Sequence, residues 1–204
     1  IREVNAVADS LQKAAAELLL RGADLRSSES RLRLAVQATG LGIWDVDVVT
    51  GRRSWSPEFL SILGLKRNTA ADPDTFLAHV HPEDRDWVNE RYQAFFRGET
   101  GGKYEAEFRI LRANTAEERW VVTSGRLVLD DKGKPLRGSG TMMDVTERRR
   151  VEDTLRESEQ RFRSMADSAP ALIWMTDHDG RINFLNRYHE DFLGYPVEHL
   201  MGDD

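Results

Sequence analysis

The sequence has no cysteine. That excludes disulfides, thiolate metal sites and cysteine nucleophiles, and it fits a reducing compartment, so the cytoplasm is the expected location. Long apolar runs are missing too. Leu18-Leu19-Leu20 is the longest leucine cluster and Arg21 ends it, far short of the ~20 residues that span a bilayer. Nor is there an excess of one charge: 29 Lys and Arg against 35 Asp and Glu leave a net charge of -6. No nucleic acid is therefore expected as a partner, and no membrane contact within these residues. The one basic run, Arg148-Arg149-Arg150, meets Glu152 and Asp153 at i,i+4 spacing, which neutralises it as a solvated helix face. The chain starts at Ile1 without methionine or signal peptide, inside a helical pattern. A segment of a larger protein is expected, which leaves room for a membrane anchor upstream.

What is present is a repeat. Leu25-Arg26, Ser28-Glu29, Arg31 and Arg33 return as Leu155-Arg156, Ser158-Glu159, Arg161 and Arg163, and Gly42-Ile43-Trp44 returns as Leu172-Ile173-Trp174. Leu63-Gly64 returns as Leu193-Gly194, each pair at an offset of 130 residues. So long a period means tandem copies of one domain rather than a solenoid. The expected organisation is a helix over 1–28, a complete domain over 29–146, a connector helix over 147–164, and the truncated start of a second copy over 165–204.

Each copy opens on a helix. Val4, Leu11, Leu18, Leu25 and Leu32 keep strict seven-residue spacing, with Val7, Ala8, Ala14 and Ala15 in neighbouring positions. Val151, Leu155, Ser158, Phe162 and Met165 alternate spacings of four and three. Both patterns predict coiled-coil seams and a parallel homodimer, set against an amphipathic helix folded back on its own domain. After the first helix, a hairpin is expected over 42–55 around Thr50-Gly51. Three short helices then begin at Ser56-Pro57-Glu58, Asp72-Pro73-Asp74 and His81-Pro82-Glu83-Asp84, each a cap followed by proline and acid. Tyr104, Ala106, Phe108 and Ile110 alternate with polar residues as in a half-buried strand. Strands over 119–129 and 135–145 complete the set, and a helix starts at Asp144, with Asp144 and Glu147 spaced as a capping box. This is an α+β pattern: a five-stranded antiparallel sheet with short helices on one face, flanked by long helices.

Gly42-Ile43-Trp44-Asp45, Trp55-Ser56-Pro57-Glu58, Leu63-Gly64 and His81-Pro82-Glu83-Asp84-Arg85 are, as an ordered set, similar to PAS domains of bacterial sensors. Glu107-Phe108-Arg109-Ile110, Arg119-Trp120-Val121 and the closing Asp144-Val145-Thr146-Glu147-Arg148 continue the resemblance, which runs from about Ser28 to Arg149. One departure is the loop from Ala113 to Glu118, where Asn114-Thr115-Ala116 replaces the family's Asp-Gly turn. The resemblance implies a sensory or dimerising module that signals through flanking helices to an effector in the same protein. That effector is a histidine kinase of a two-component system first, a diguanylate cyclase or phosphodiesterase second. It makes Asp144, Thr146, Glu147, Val151 and Leu155 the candidate relay residues.

No residue is expected to be catalytic. There is no phosphate-binding loop and no serine nucleophile motif, and Gly138-Ser139-Gly140 sits in an expected strand with no helix after it. His79-x-His81 lacks a third ligand nearby, so no metal is expected. His189-Glu190 resembles a phosphoacceptor pair but falls on a short helix of the second copy. No cofactor is expected. Without cysteine a flavin photoadduct is excluded, which leaves non-covalent flavin stacked near the tryptophans or haem with His79 in the region. A small-molecule pocket between sheet and helices would use Phe59, Leu63, Phe76, Tyr104, Phe108, Val122 and Met142, a set that describes a filled core equally well. Two classes stay open: a ligand or cofactor sensor, and a dimerising relay that binds nothing.

Overall fold

A computed structural model describes Leu34 and residues 38–194. The helix expected over 1–28, with Val4, Leu11, Leu18, Leu25 and Leu32, lies outside the described residues. The chain divides into two compact units, one ending at Thr146 and the other starting at Glu147.

In the first unit, β1 (Gly42–Asp47) and β2 (Arg53–Trp55) form the opening hairpin. Asp47 closes it by accepting the Thr50 N–H at 2.9 Å. Helices α1 (Pro57–Leu63), α2 (Pro73–His79) and α3 (Pro82–Phe96) follow. Each starts on the side chain that the sequence offers. Ser56 Oγ accepts from the Phe59 N–H at 3.2 Å, Asp72 from Thr75 at 2.9 Å, and His81 Nδ1 from Glu83 at 3.3 Å. Proline stands next in all three, where its missing N–H leaves no helical bond unmade. Strands β3 (Lys103–Leu111), β4 (Glu118–Leu129) and β5 (Pro135–Asp144) complete a sheet in the order β2-β1-β5-β4-β3, every pair antiparallel. This is the expected α+β class.

The helices cover one face of that sheet, and the alternation of β3 shows how. Tyr104, Ala106, Phe108 and Ile110 are each 7% exposed or less. In β4 the buried set is Val121, Thr123 and Leu127, so Val122 stands on the outer face and not, as expected, toward the helices. A strand with valine at two successive positions carries no phase of its own; pairing with β3 and β5 decides which one enters the core. The Trp44 indole reaches across the inner face and lies over Gly125 and Gly140, which face each other in β4 and β5. A side chain at either glycine would collide with that ring, and one at Gly138 with Phe96, which is why β5 carries glycines. Asp84, 8% exposed, fastens α3 to β3 by accepting from Arg109 Nη2 at 2.7 Å, Nε at 3.0 Å and backbone N–H at 2.9 Å. These bonds hold its carboxyl below the usual carboxylate range.

Helix α4 (Thr146–Ser168) begins on the last residue of the first unit. The second unit continues with β6 (Trp174–Thr176), β7 (Ile182–Leu185) and α5 (Tyr188–Leu193). It repeats the opening of the first. Gly64 and Gly194 end α1 and α5 in the left-handed conformation, φ 70° and 81°. Backbone bonds from Ser56 N–H to Ile43 O and from Asn186 N–H to Ile173 O close the two hairpins at 2.9 and 3.0 Å. Of the expected seam, Val151, Leu155 and Met165 are 67%, 59% and 66% exposed, while Phe162 is turned against Phe184 with ring centroids 5.1 Å apart.

Candidate functional site

Two places in the first unit can carry function: a cavity under the helices and the junction where β5 becomes α4. The cavity has a volume of about 50 Å³. Its wall is mainly aromatic: Trp44 from β1, Trp55 from β2, Phe59 and Phe76 from the short helices, Tyr92, Phe95 and Phe96 from α3, and Tyr104 from β3. Of the expected pocket residues, Phe59, Phe76, Tyr104 and Met142 line it. Leu63 and Phe108, both fully buried, fill the core outside it, and Val122 is on the far face of the sheet.

Thr123, Tyr104 and Arg53 bring polar groups to this wall, beside Asp72 and Tyr92. Thr123 is satisfied: its hydroxyl accepts from the Trp44 indole N–H at 3.3 Å and donates to Thr141 O at 2.9 Å. The Tyr104 hydroxyl and Arg53 Nε are buried without a protein partner. Burial pushes the Tyr104 phenol up to about 12 and also raises Tyr92, so Tyr104 is a neutral O–H donor at physiological pH. Arg53 was missed in the sequence, where it reads as an exposed hairpin residue. Its place on the short strand β2 turns it to the cavity, across from Asp72 and Tyr92.

The junction is built from side chains that bond to backbone. Asp144 Oδ1 accepts the Thr146 N–H at 2.9 Å, which caps α4. The Thr146 hydroxyl, 4% exposed at residue level, accepts the Trp120 N–H at 2.9 Å, and Val145 N–H donates to Trp120 O at 2.9 Å. Arg119 binds Asp144 at 3.4 Å and Glu117 at 2.9 Å. Thr146, the first residue of α4, is thus tied to β4. Glu147 is not the second half of a capping box: its carboxylate binds Arg150 at 2.7 Å.

The histidines singled out in the sequence stand elsewhere. His81 is a helix cap near Glu118, 3.5 Å away. His79 does not line the cavity. His189 is buried, 8% exposed, with Nδ1 engaged by Asn186.

Models of the PAS fold match residues 52–142 and again 160–204, two thirds of the chain together. A sensory box histidine kinase/response regulator from Burkholderia thailandensis has a solved structure that matches 98% of its length to 66% of this chain. It is 34% identical, with a TM-score of 0.52.

The chain belongs to the PAS family.

Among curated relatives, the sensor protein FixL of Bradyrhizobium diazoefficiens is 27% identical over 172 residues, 84% of this chain and 34% of that protein. A blue-light-activated histidine kinase of Brucella anthropi is 32% identical over 141 residues, 67% of this chain and 28% of that protein. The chain thus spans about a third of the length of these two curated relatives. The space between Trp44 and Phe76 is about 50 Å³, walled by aromatic side chains, and His79 is not among its lining residues. No helix among the described residues is long and apolar enough to cross a membrane.

Proposed function

We propose that this PAS chain is a cytoplasmic dimeric relay, and that α4 carries changes in the five-stranded sheet to an effector in the same protein, a histidine kinase. The observation that carries the reading is the junction: Asp144 and Thr146 tie the first turn of α4 to Trp120 and Arg119 of a central strand. In this reading a shift in β4 is passed to α4 through Thr146. Two relatives that are histidine kinases support the choice of effector. The proposed organisation is a helical segment over 1–28, a PAS domain over 29–146, a connector over 147–164 and a second PAS copy from 165. These residues carry no catalysis of their own in this reading.

The homodimer rests on Val151, Leu155 and Met165, exposed on one seam of α4. Val151→Glu with Leu155→Glu tests it. In the full-length protein the pair of changes should lower the mass seen by ultracentrifugation from dimer toward monomer and abolish regulated output. A dimer with unaltered regulation would contradict the reading.

A second reading is favoured by Tyr104. An unpartnered phenol O–H in an apolar cavity of about 50 Å³ suits an uncharged molecule of a few heavy atoms bearing one acceptor oxygen. Titration with propanol or acetone should raise the melting temperature of the wild type and not of Tyr104→Phe. An equal response of both proteins would remove this site.

A further inference from the structure

Asn186, at the end of β7, is fully buried. Its Nδ2 donates to Ala166 O at 2.7 Å and to Ala171 O at 2.9 Å, and its Oδ1 accepts the Ile173 N–H at 2.9 Å. His189 Nδ1 lies 3.0 Å from the same Oδ1 and 3.2 Å from Asn186 O. Both of those atoms are acceptors, so Nδ1 carries the proton and donates. That bond fixes the amide, oxygen toward Ile173 and His189, nitrogen toward the two carbonyls. Next in sequence, the Arg187 N–H donates to Asp167 at 2.8 Å.

Ala166 stands in the last turn of α4, and its carbonyl, which also accepts the Ala169 N–H at 3.3 Å, takes the Asn186 amide as a second donor. Ala171 stands in the linker Ala169-Pro170-Ala171-Leu172, and Ile173 leads into β6. One side chain therefore joins helix end, linker and hairpin. The first copy shows that the hairpin does not need all of this. Ser56, 130 residues earlier, supplies the same acceptor to Ile43 N–H at 3.0 Å, but a hydroxyl has no second donor and no amide reach. The Nδ2 bonds are the addition.

We propose that Asn186 is a latch that makes α4 and the β6–β7 hairpin move as one, so that rotation of α4 enters the second copy instead of being absorbed in the linker. His189 is its positioning residue. The proposal rests on the relay reading, but its first test does not depend on output.

The test is hydrogen exchange on the wild-type chain and on Asn186→Ser, which rebuilds the first copy's arrangement. Exchange at residues 167–172 should rise roughly 10- to 30-fold, the worth of two ordinary hydrogen bonds, while Ile173 and Phe184 stay protected. Unchanged exchange at 167–172 would overturn the latch. So would equal loss at Ile173 and Phe184, since Asn186 would then only hold the hairpin together. In the wild type, the Asn186 side-chain amide protons should also exchange slowly by NMR, and fast exchange there would count against the bonds themselves. In the full-length protein, Asn186→Ser should narrow the regulated range of output with the dimer intact. A full regulated range beside the altered exchange would make the residue merely structural. Failure of the relay reading looks different: output indifferent to the helical phase of α4, with the exchange change still present.

Discussion

The two copies close the same hairpin with different residues. In the first, Ser56 accepts from Ile43 N–H and from Phe59 N–H, so one hydroxyl both closes the hairpin and caps the next helix. In the second, Asn186 makes the hairpin bond and spends its amide on α4 and the linker, and α5 follows its N-cap residue Arg187 with no side-chain cap bond. The difference shows what is required by the fold and what is extra. An acceptor is required; a donor facing the preceding helix is extra. The first copy also has what the second lacks among the described residues: three further strands and a partly buried ion pair, Asp84 with Arg109. The hairpin β6–β7 leans on α4 through Phe162 and Asn186.

The sharpest way to break that comparison is at Gly140. A valine there would meet the Ser124 carbonyl and the Trp44 ring, and should cost the first copy about 3 kcal/mol. Exchange within β6–β7 should be unchanged by it. Asp84→Asn should cost about 2 kcal/mol, between the worth of an exposed pair and that of a fully buried one. It should also flatten the acid limb of unfolding. The folded carboxyl titrates below its unfolded value near 3.9. Its contribution is therefore complete above about pH 5 and disappears as pH falls through the lowered folded value. Acid should thus open the first copy in a step that Asp84→Asn lacks, read by circular dichroism. Asp144→Ala removes the α4 cap and should cost about 1 kcal/mol, with faster exchange at residues 146–150 and none of it at 167–172. Arg161→Ala, which removes an exposed pair with Glu157, should move the melting temperature by no more than about 0.5 kcal/mol would.

Much of this was legible beforehand, because it is written in short-range signals. Cap, proline and acid announce three helices at Ser56, Asp72 and His81, and each cap bond is made. The repeat placed Ile173 and Gly194 correctly, since equal spacing implies equal structure. What was not legible depends on contacts between distant segments. Val121 and Val122 are the same residue, and only neighbouring strands choose between them. Arg53 reads as a surface charge until the twist of a three-residue strand turns it to the cavity. Asn186 matched nothing in the repeat, because Ser56 holds its place, and a mismatch is where a difference in function has room to arise.

The central claim is that a change in the first sheet travels along α4, and helical phase tests it most directly. Seven residues inserted after Arg150 return the seam of Leu155 and Met165 to its original face, whereas two turn it by roughly 200° at about 100° per residue. Regulated output of the full-length protein should survive the seven-residue insertion, and the two-residue insertion should lock it on or off. Equal regulation by both would contradict the account.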